Sequence, residues 1–496
     1  MNQTISLSVR DLPFHSGGGR LKNTLLFRRD PVAFMQSLCG GGDLFRIPLV
    51  DRNVVVATGP RAIQQLLVDN AGSLEKAALL RYLLYPILGE GLLTSRGDLW
   101  RRQRRLMAPI FQPTQLAQLA DSMVACAQRD VETWRDGAQL DMLRETTRIT
   151  MSVAGRTLFG AETFSEADEL GAALTVAMQW VGGGLGRTLP FAQMALRGWL
   201  VELANRLPGR ASTLSLALAE RLNGPLLLVS ERDRRMQAAV ELLHERVQRM
   251  IDERRASGQL QADLLGRLLS AQDEGQKAPM TDTQVRDEVL TLFLAGHETT
   301  ASSLAWALYL LVRHPAIYRQ VRAEADALNH APRYEDLPLL ALTQRVFKET
   351  IRLYPPLPAF NRDTTAPLTV CDHTLPPGTV VLICPYATHH RPDLWPQPER
   401  FDPDRFTPAG EAGRSRYAYL PFSAGPRTCI GNHFALMEGT LVLATLLQRA
   451  DFALLGGEIR PVSLGTLRPQ GGVPMRIRLR QAAARRELVT SSAAHQ

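Results

Sequence analysis

The sequence predicts a mainly α fold with a small β lobe, and three observations lead there. From Pro60 to about Leu328, apolar residues recur at helical spacing in a background rich in Leu, Ala, Arg and Glu, the pattern of amphipathic helices. Strand signals are confined to two short clusters, one between Asp43 and Gly59 and one between Leu368 and Cys384. One long helix starts at a capping box, Thr281 with Gln284, and runs unbroken to about His314, where Pro315 ends it. At 1.5 Å per residue it spans roughly 50 Å, enough to cross a domain.

In chain order, residues 1–42 read as an irregular arm with glycine joints at 17–19 and 40–42. DLFRIPLV and NVVVATG, within residues 43–59, form a hairpin turned by Asp51, Arg52 and Asn53. After the helical region, strands at Leu368 to Cys371 and Thr379 to Cys384 flank a turn at Pro376, Pro377 and Gly378. A proline-rich, aromatic stretch from Pro392 to Pro408 leads into a glycine-bearing loop and a helix from Gly431 to Gln448. Residues 481–496 read as a polar tail. A chain of this length would usually split into two or more domains, yet no internal repeat or low-complexity linker is found.

The chain has 496 residues, 45% hydrophobic and 21% charged, which fits neither wholesale disorder nor a polytopic membrane protein. Its formal charge of +8 is mild for the length and gives no reason to expect nucleic acid as a partner. Five scattered cysteines, without CxxC spacing, argue against a zinc ribbon or a disulfide framework and suit a reducing cytoplasm. No signal peptide is visible, and no run of about 20 apolar residues suggests a spanning helix. GGGLG at 182–186 lacks dinucleotide-turn spacing, and His297-Glu298 fails as a zinc-protease motif because position 301 is Ala.

The strongest chemical signal is FSAGPRTCIG, Phe422 to Gly431, directly before a helix. A cysteine in such a loop is placed for thiolate chemistry, because free backbone N–H groups and the positive helix end lower its pKa. Gly425 and Gly431 allow close backbone approach to a flat partner, and Arg427 adds a fixed charge. A lone loop cysteine is otherwise a buried, inert thiol. The complete F-x-x-G-x-R-x-C-x-G pattern resembles the heme-binding loop of the cytochrome P-450 family. There the cysteine thiolate is the axial ligand of heme iron, which makes Cys429 the metal ligand.

Other segments match in family order. GDLWRRQRR carries Trp100 and Arg104 at the spacing of the family's W-x-x-x-R, whose side chains reach a heme propionate. FKETIRLYPP carries Glu349 and Arg352, resembling E-x-x-R, and Pro398-Glu399-Arg400-Phe401 makes Arg400 the expected third member of a buried lock. Arg362 resembles a further propionate-binding arginine, and with Arg427 completes the expected heme contacts. LFLAGHETTA, Leu292 to Ala301, resembles A-G-x-E-T over the heme face. Gly296 leaves room for dioxygen, the Thr299 hydroxyl can bond back to the Ala295 carbonyl, and Glu298 can relay protons. His297 is expected to face away.

The resemblance, from about Asp43 to Arg480, implies a single domain over residues 43–480, with the triangular cytochrome P-450 fold and a long central helix over heme b. It implies a heme-thiolate monooxygenase that puts one oxygen atom of O2 into a hydrophobic small molecule, by hydroxylation or epoxidation, with Thr299 and Glu298 as catalytic residues. A peroxygenase or isomerase, and a heme sensor, stay as alternatives that the Glu298–Thr299 pair disfavours. No flavin, iron–sulfur or nicotinamide segment is present, so a ferredoxin- or flavodoxin-type donor with its reductase is expected at a basic face of Arg101, Arg102, Arg105, Arg345 and Lys348. Leu292, Ala295, Leu357 to Phe360, Ala77 to Leu88 and Leu467 are expected around the substrate. The region between Phe159 and Ala295 is longer than usual for the family. Within Gly182 to Arg234, Trp199, Leu200, Leu203 and Leu207 lie at helical spacing among Arg197, Arg206 and Arg210. That stripe suggests a lid, and a peripheral membrane contact by an otherwise cytoplasmic protein.

Overall fold

A computed structural model describes residues 7–15, 18–50, 53–159, 164–184, 230–258, 263–270, 279–463 and 465–480, with isolated positions at 196, 200, 211, 214, 215 and 218. The helices used below are α1 (Arg20–Arg29), α2 (Pro31–Ser37), α3 (Ala78–Leu88), α4 (Gly97–Met107), α5 (Met142–Phe159), α6 (Phe164–Gly184), α7 (Glu231–Ser257), α8 (Asp282–Arg313), α9 (Ala341–Leu353) and α10 (Asn432–Arg449). The strands are β1 (Leu44–Pro48), β2 (Asn53–Ala57), β3 (Leu74–Lys76), β4 (Phe360–Thr364), β5 (Val380–Ile383), β6 (Pro461–Ser463) and β7 (Leu467–Pro469).

Helix α8 organises the molecule. Thr281 Oγ1 accepts the Gln284 N–H at 3.2 Å and Gln284 Oε1 accepts the Thr281 N–H at 3.1 Å, so the capping box forms as the sequence predicts. Every side chain from Thr300 to Leu311 is buried. Such all-round burial marks a core helix. The half of α8 beyond Thr300 packs with α5, α9 and α10 in one apolar cluster. The half before it packs with α3, α4, α6 and α7 in a second. The long helix thus joins two cores and holds its middle turns between them.

The β lobe is a five-stranded sheet in the order β1-β2-β5-β4-β3, and the β1–β2 hairpin pairs Leu44 with Ala57. Three expectations need correction. The N-terminal arm is not irregular, because it contains α1 and α2; Asp30 Oδ1 caps α2 through the Ala33 N–H at 2.9 Å and Pro31 occupies its first turn. The stretch from Pro60 to Leu328 is not purely helical, since β3 and a strand at Gln139–Asp141 interrupt it. These three-residue strands exist only by pairing with distant partners, β3 with β4. The turn at Pro376 to Gly378 joins the strand His373–Leu375 to β5, which lie in different sheets. Leu368–Val370 pairs instead with His373–Leu375, across a tight turn in which Cys371 (φ 45°) and Asp372 (φ 67°) both adopt positive φ. Most of the 182–234 stripe, including Trp199, Leu203 and Leu207, and the tail at 481–496 lie outside the described residues. Among the described residues, no helix is long and apolar enough to cross a membrane.

Candidate active site

The loop from Phe422 to Gly431 enters α10 after a short turn. Its Cys429 N–H donates to the Phe422 carbonyl at 2.9 Å and the Thr428 hydroxyl to the Gly425 carbonyl at 2.7 Å. Gly425 is required: φ is +72°, and a Cβ there would lie 1.8 Å from the Leu67 carbonyl oxygen. Cys429 keeps exposed surface in the loop. Burial raises its pKa, and the Gly431 N–H and Arg104 oppose that rise. The expected lowering of the thiol is therefore not met in the protein alone, where burial is the largest influence.

Opposite functional expectations meet on α8. Leu292, Ala295, Gly296 and Thr299, at i, i+3, i+4 and i+7, keep accessible surface in a helix whose neighbouring residues are buried. The Thr299 hydroxyl donates to the Ala295 carbonyl at 2.9 Å, as expected. His297 is buried on another face, and its Nδ1 bonds the Phe293 carbonyl at 2.7 Å. Two α5 hydroxyls hold the outer backbone of this turn, Thr150 to the His297 carbonyl and Thr146 to the Ala301 carbonyl, each at 2.9 Å. Glu298 is tied down. Its Oε1 accepts from Thr466 Oγ1 and from Arg468 Nε and Nη2.

A cationic cluster forms beside the loop. The Arg427 guanidinium lies 4.1 Å over the Trp100 ring and donates to Glu75 Oε2 at 2.6 Å. Arg362 on β4 is buried, and burial with Arg427 nearby pushes its pKa down to about 10. Lys76 Nζ spends two donors on the Leu92 and Leu93 carbonyls, at 3.0 and 2.7 Å, and burial drives its pKa well down. Glu288, also nearby, is raised to about 8 by burial. Arg104 and Arg362 have no carboxylate partner among the described residues. Each close like-charge pair costs roughly 1–4 kcal/mol between water-like and protein-like screening. One carboxylate, Glu75, cannot balance this group, so the cluster fits a ligand bearing two acidic groups.

The Glu349–Arg352 pair is fully buried, with Nε···Oε2 2.7 Å and Nη2···Oε1 2.9 Å. Its expected third member is wrong. Arg400 offers only its carbonyl, 3.2 Å from Arg352 Nη2, and its guanidinium bonds Gln397 Oε1 at 3.3 Å in solvent. The third cation is Arg405, whose Nε lies 3.5 Å from Glu349 Oε1. The signal was present: Pro403-Asp404-Arg405-Phe406 repeats the P-x-R-F pattern five residues on. Leu467, expected at the substrate, is fully buried among Val32, Phe34 and Phe45 in the core under α2. On the basic face, Arg101 pairs with Asp98 at 2.5 Å, Arg345 with Asp404 at 3.6 Å and Lys348 with Glu411 at 3.9 Å, so part of its charge is compensated.

A family model described as cytochrome P-450 matches residues 23–472. The chain belongs to the cytochrome P-450 family. It is 36% identical to cyclooctatin synthase of Streptomyces melanosporofaciens over 88% of this chain and 89% of that one. It is 32% identical to pentalenene oxygenase of Streptomyces avermitilis, over 92% and 93% of the two chains. A solved cytochrome P-450 heme domain superposes with a TM-score of 0.78 at 25% identity, covering 95% of this chain and 98% of that one. The family match begins at residue 23, inside α1.

The enzyme is therefore a heme-dependent P-450 monooxygenase that incorporates an oxygen atom of O2 into a hydrophobic molecule. Sequence reasoning missed Glu75, Lys76, Arg405, Thr466 and Arg468. Only Arg405 carried a local signal; the others join the site through contacts between segments far apart in the chain.

Proposed function

We propose that this P-450 oxygenates a cyclic, unsaturated hydrocarbon or a simple alcohol derived from one. Pentalenene oxygenase and cyclooctat-9-en-7-ol 5-monooxygenase, the latter 34% identical over 86% of each chain, carry such compounds in their names. The observation that carries the reading is the accessible α8 stripe, Leu292, Ala295, Gly296 and Thr299, which offers one hydroxyl in an otherwise apolar face. That hydroxyl is already committed to the Ala295 carbonyl. A substrate there is held by shape and apolar area, at about 25 cal/mol per Å² removed from water.

Cys429 is the thiolate ligand of the heme iron; Trp100, Arg104, Arg362 and Arg427 hold the propionate end. Bound heme supplies the activation of dioxygen. The chain's own part is to exclude water, to set the substrate against Ala295 and Gly296, and to deliver protons through Glu298 and Thr299. Electrons arrive from a separate ferredoxin- or flavodoxin-type protein at the face of Arg101, Arg102, Arg105, Arg345 and Lys348. The enzyme works in the cytoplasm, and reversible contact with a membrane surface would gather a greasy substrate.

Pentalenene and related cyclic alkenes should shift the heme spin-state spectrum of the purified enzyme. With a surrogate ferredoxin system under labelled O2, one labelled oxygen should enter the product. Thr299→Ala should retain the spectral affinity and release most reductant equivalents as hydrogen peroxide. Unlabelled product, or coupling equal to wild type in Thr299→Ala, would overturn the assigned roles. A spectrum silent to the whole alkene panel would overturn the substrate class.

A further inference from the structure

The geometry points to a proton intake on the side of α8 away from the accessible stripe: a cleft between α5, α6, α8 and β7, with Arg468 as the positioning residue for Glu298. This rests on the proposed role of Glu298 in proton delivery. The cleft is lined by Leu143, Thr147, Leu174, Thr175, Met178, His297, Glu298 and Arg468. Glu298 is buried at its floor, while the Arg468 side chain is 27% exposed. A side chain this deep costs free energy unless its polar atoms are partnered. The partners come from one direction only: Thr466 and Arg468, on the β6–β7 hairpin, take Oε1, and no bond reaches Oε2 among the described residues. One oxygen is thus fixed and the other is left for water.

The hairpin is itself anchored to α8, because the Ser302 hydroxyl donates to the Leu467 carbonyl at 2.8 Å. Arg468 is therefore registered to the same helix turn as Glu298 and Thr299. The remaining polar groups of the cleft suit water in transit. His297 Nδ1 must carry its hydrogen, because it bonds a carbonyl, so Nε2 is an acceptor, and burial lowers the imidazole pKa and keeps it neutral. The Thr147 and Thr175 hydroxyls donate to the carbonyls one turn back, at 2.7 and 2.8 Å, and keep lone pairs for water. Thr147, Thr175, His297, Glu298 and Arg468 thus give the cleft a polar lining between Leu143, Leu174 and Met178.

The intake carries protons and no substrate, so blocking it should separate turnover from binding. In the heme-loaded enzyme, Thr175→Leu should lower product formed per reductant about tenfold, within the usual reach of a proton-transfer defect. It should also enlarge the solvent deuterium isotope effect, with unchanged spectral affinity for substrate. Arg468→Met should lower coupling similarly, and Arg468→Lys should restore most of it, since an ammonium can still hold Oε1. A thermal-melting cycle of Glu298→Gln with Arg468→Met should show that the two losses are not additive, which reports the ion pair without turnover. If Glu298→Gln keeps wild-type coupling, the relay reading itself fails. If Glu298→Gln uncouples while Thr175→Leu and Arg468→Met do not, Glu298 is supplied from elsewhere and the cleft is overturned.

Discussion

The third cation of the buried lock sets up a sharp contrast between two arginines five residues apart. Arg405 is a tenth exposed; its Nη2 donates to the Pro396 and Gln397 carbonyls at 2.7 and 2.9 Å, and its Nε faces Glu349. Truncation to Ala removes the donor from two solvent-exposed carbonyls and one cation from a carboxylate with no exposed surface. Removing one member of a buried charge set costs about 3–5 kcal/mol. Glu349 would keep both bonds from Arg352 and the Asp402 N–H at 3.0 Å. The low end therefore applies, about 3 kcal/mol, or roughly a hundredfold in the unfolding equilibrium. Arg400→Ala loses one exposed 3.3 Å bond and keeps the carbonyl that Arg352 uses, so its cost should stay within about 0.5 kcal/mol. Urea unfolding of the heme-loaded variants, followed by fluorescence and by loss of the heme spectrum, measures both. Arg405→Lys should fall between them, because a point charge cannot reach both carbonyls and Glu349 together. Equal losses for Arg400→Ala and Arg405→Ala, or a larger one for Arg400→Ala, would refute the assignment.

Arg362→Gln should weaken heme retention while leaving the heme-free protein as stable as wild type or slightly more so, because it relieves repulsion from Arg427; heme titration and apoprotein melting separate the two. Acid should weaken the fold through His390, whose ring stacks on Tyr386 at 4.2 Å and whose pKa burial pushes down to about 4. A depressed histidine contributes full stability above its ordinary value near 6.5 and loses it as pH falls toward 4, about 2 kcal/mol by pH 5. His390→Phe, which keeps the stack, should flatten urea-derived stability between pH 7 and 5. Cys429→Ser should abolish the thiolate-type band of the reduced, carbon monoxide-bound protein, and a normal band would remove Cys429 as ligand.

What could be read from the sequence was whatever is encoded over a few consecutive residues. Thr281, Gln284 and Pro315 bound α8 because capping and helix breaking are local events. The cysteine loop, Trp100 with Arg104 and Glu349 with Arg352 are legible because loop and helix spacing bring their side chains together. Asp30-Pro31 was equally legible as a helix start, and α1 and α2 were hidden only by the glycines around them. Arg405 and Arg400 offer the same local pattern, and only the backbone path from Pro396 to Phe406 decides between them. Arg468 lies 170 residues from Glu298, on a short strand with no helical or catalytic signature. No spacing rule could join them. The same holds for Lys76 and Glu75, which reach the cationic cluster because β3 pairs with β4 beside Arg362.

The charged groups divide by how completely the protein answers them. Arg352 is fully answered: Glu349 and the carbonyls of His389, Pro398 and Arg400 take its donors, and Trp395 lies 5.1 Å from its guanidinium carbon. His389 is matched in the same way, its Nδ1–H to the Arg352 carbonyl and its Nε2 from the Leu420 N–H, which fixes one neutral tautomer. A group so matched has nothing left to offer a ligand and serves rigidity. Arg362 is the reverse, a buried cation without an ion-paired carboxylate among the described residues, and the half-buried Arg104 has none either, so a ligand can complete both. Glu298 stands between, with one oxygen saturated and the other open. The proposed relay rests on that half-matching, and Arg468 supplies the matched half.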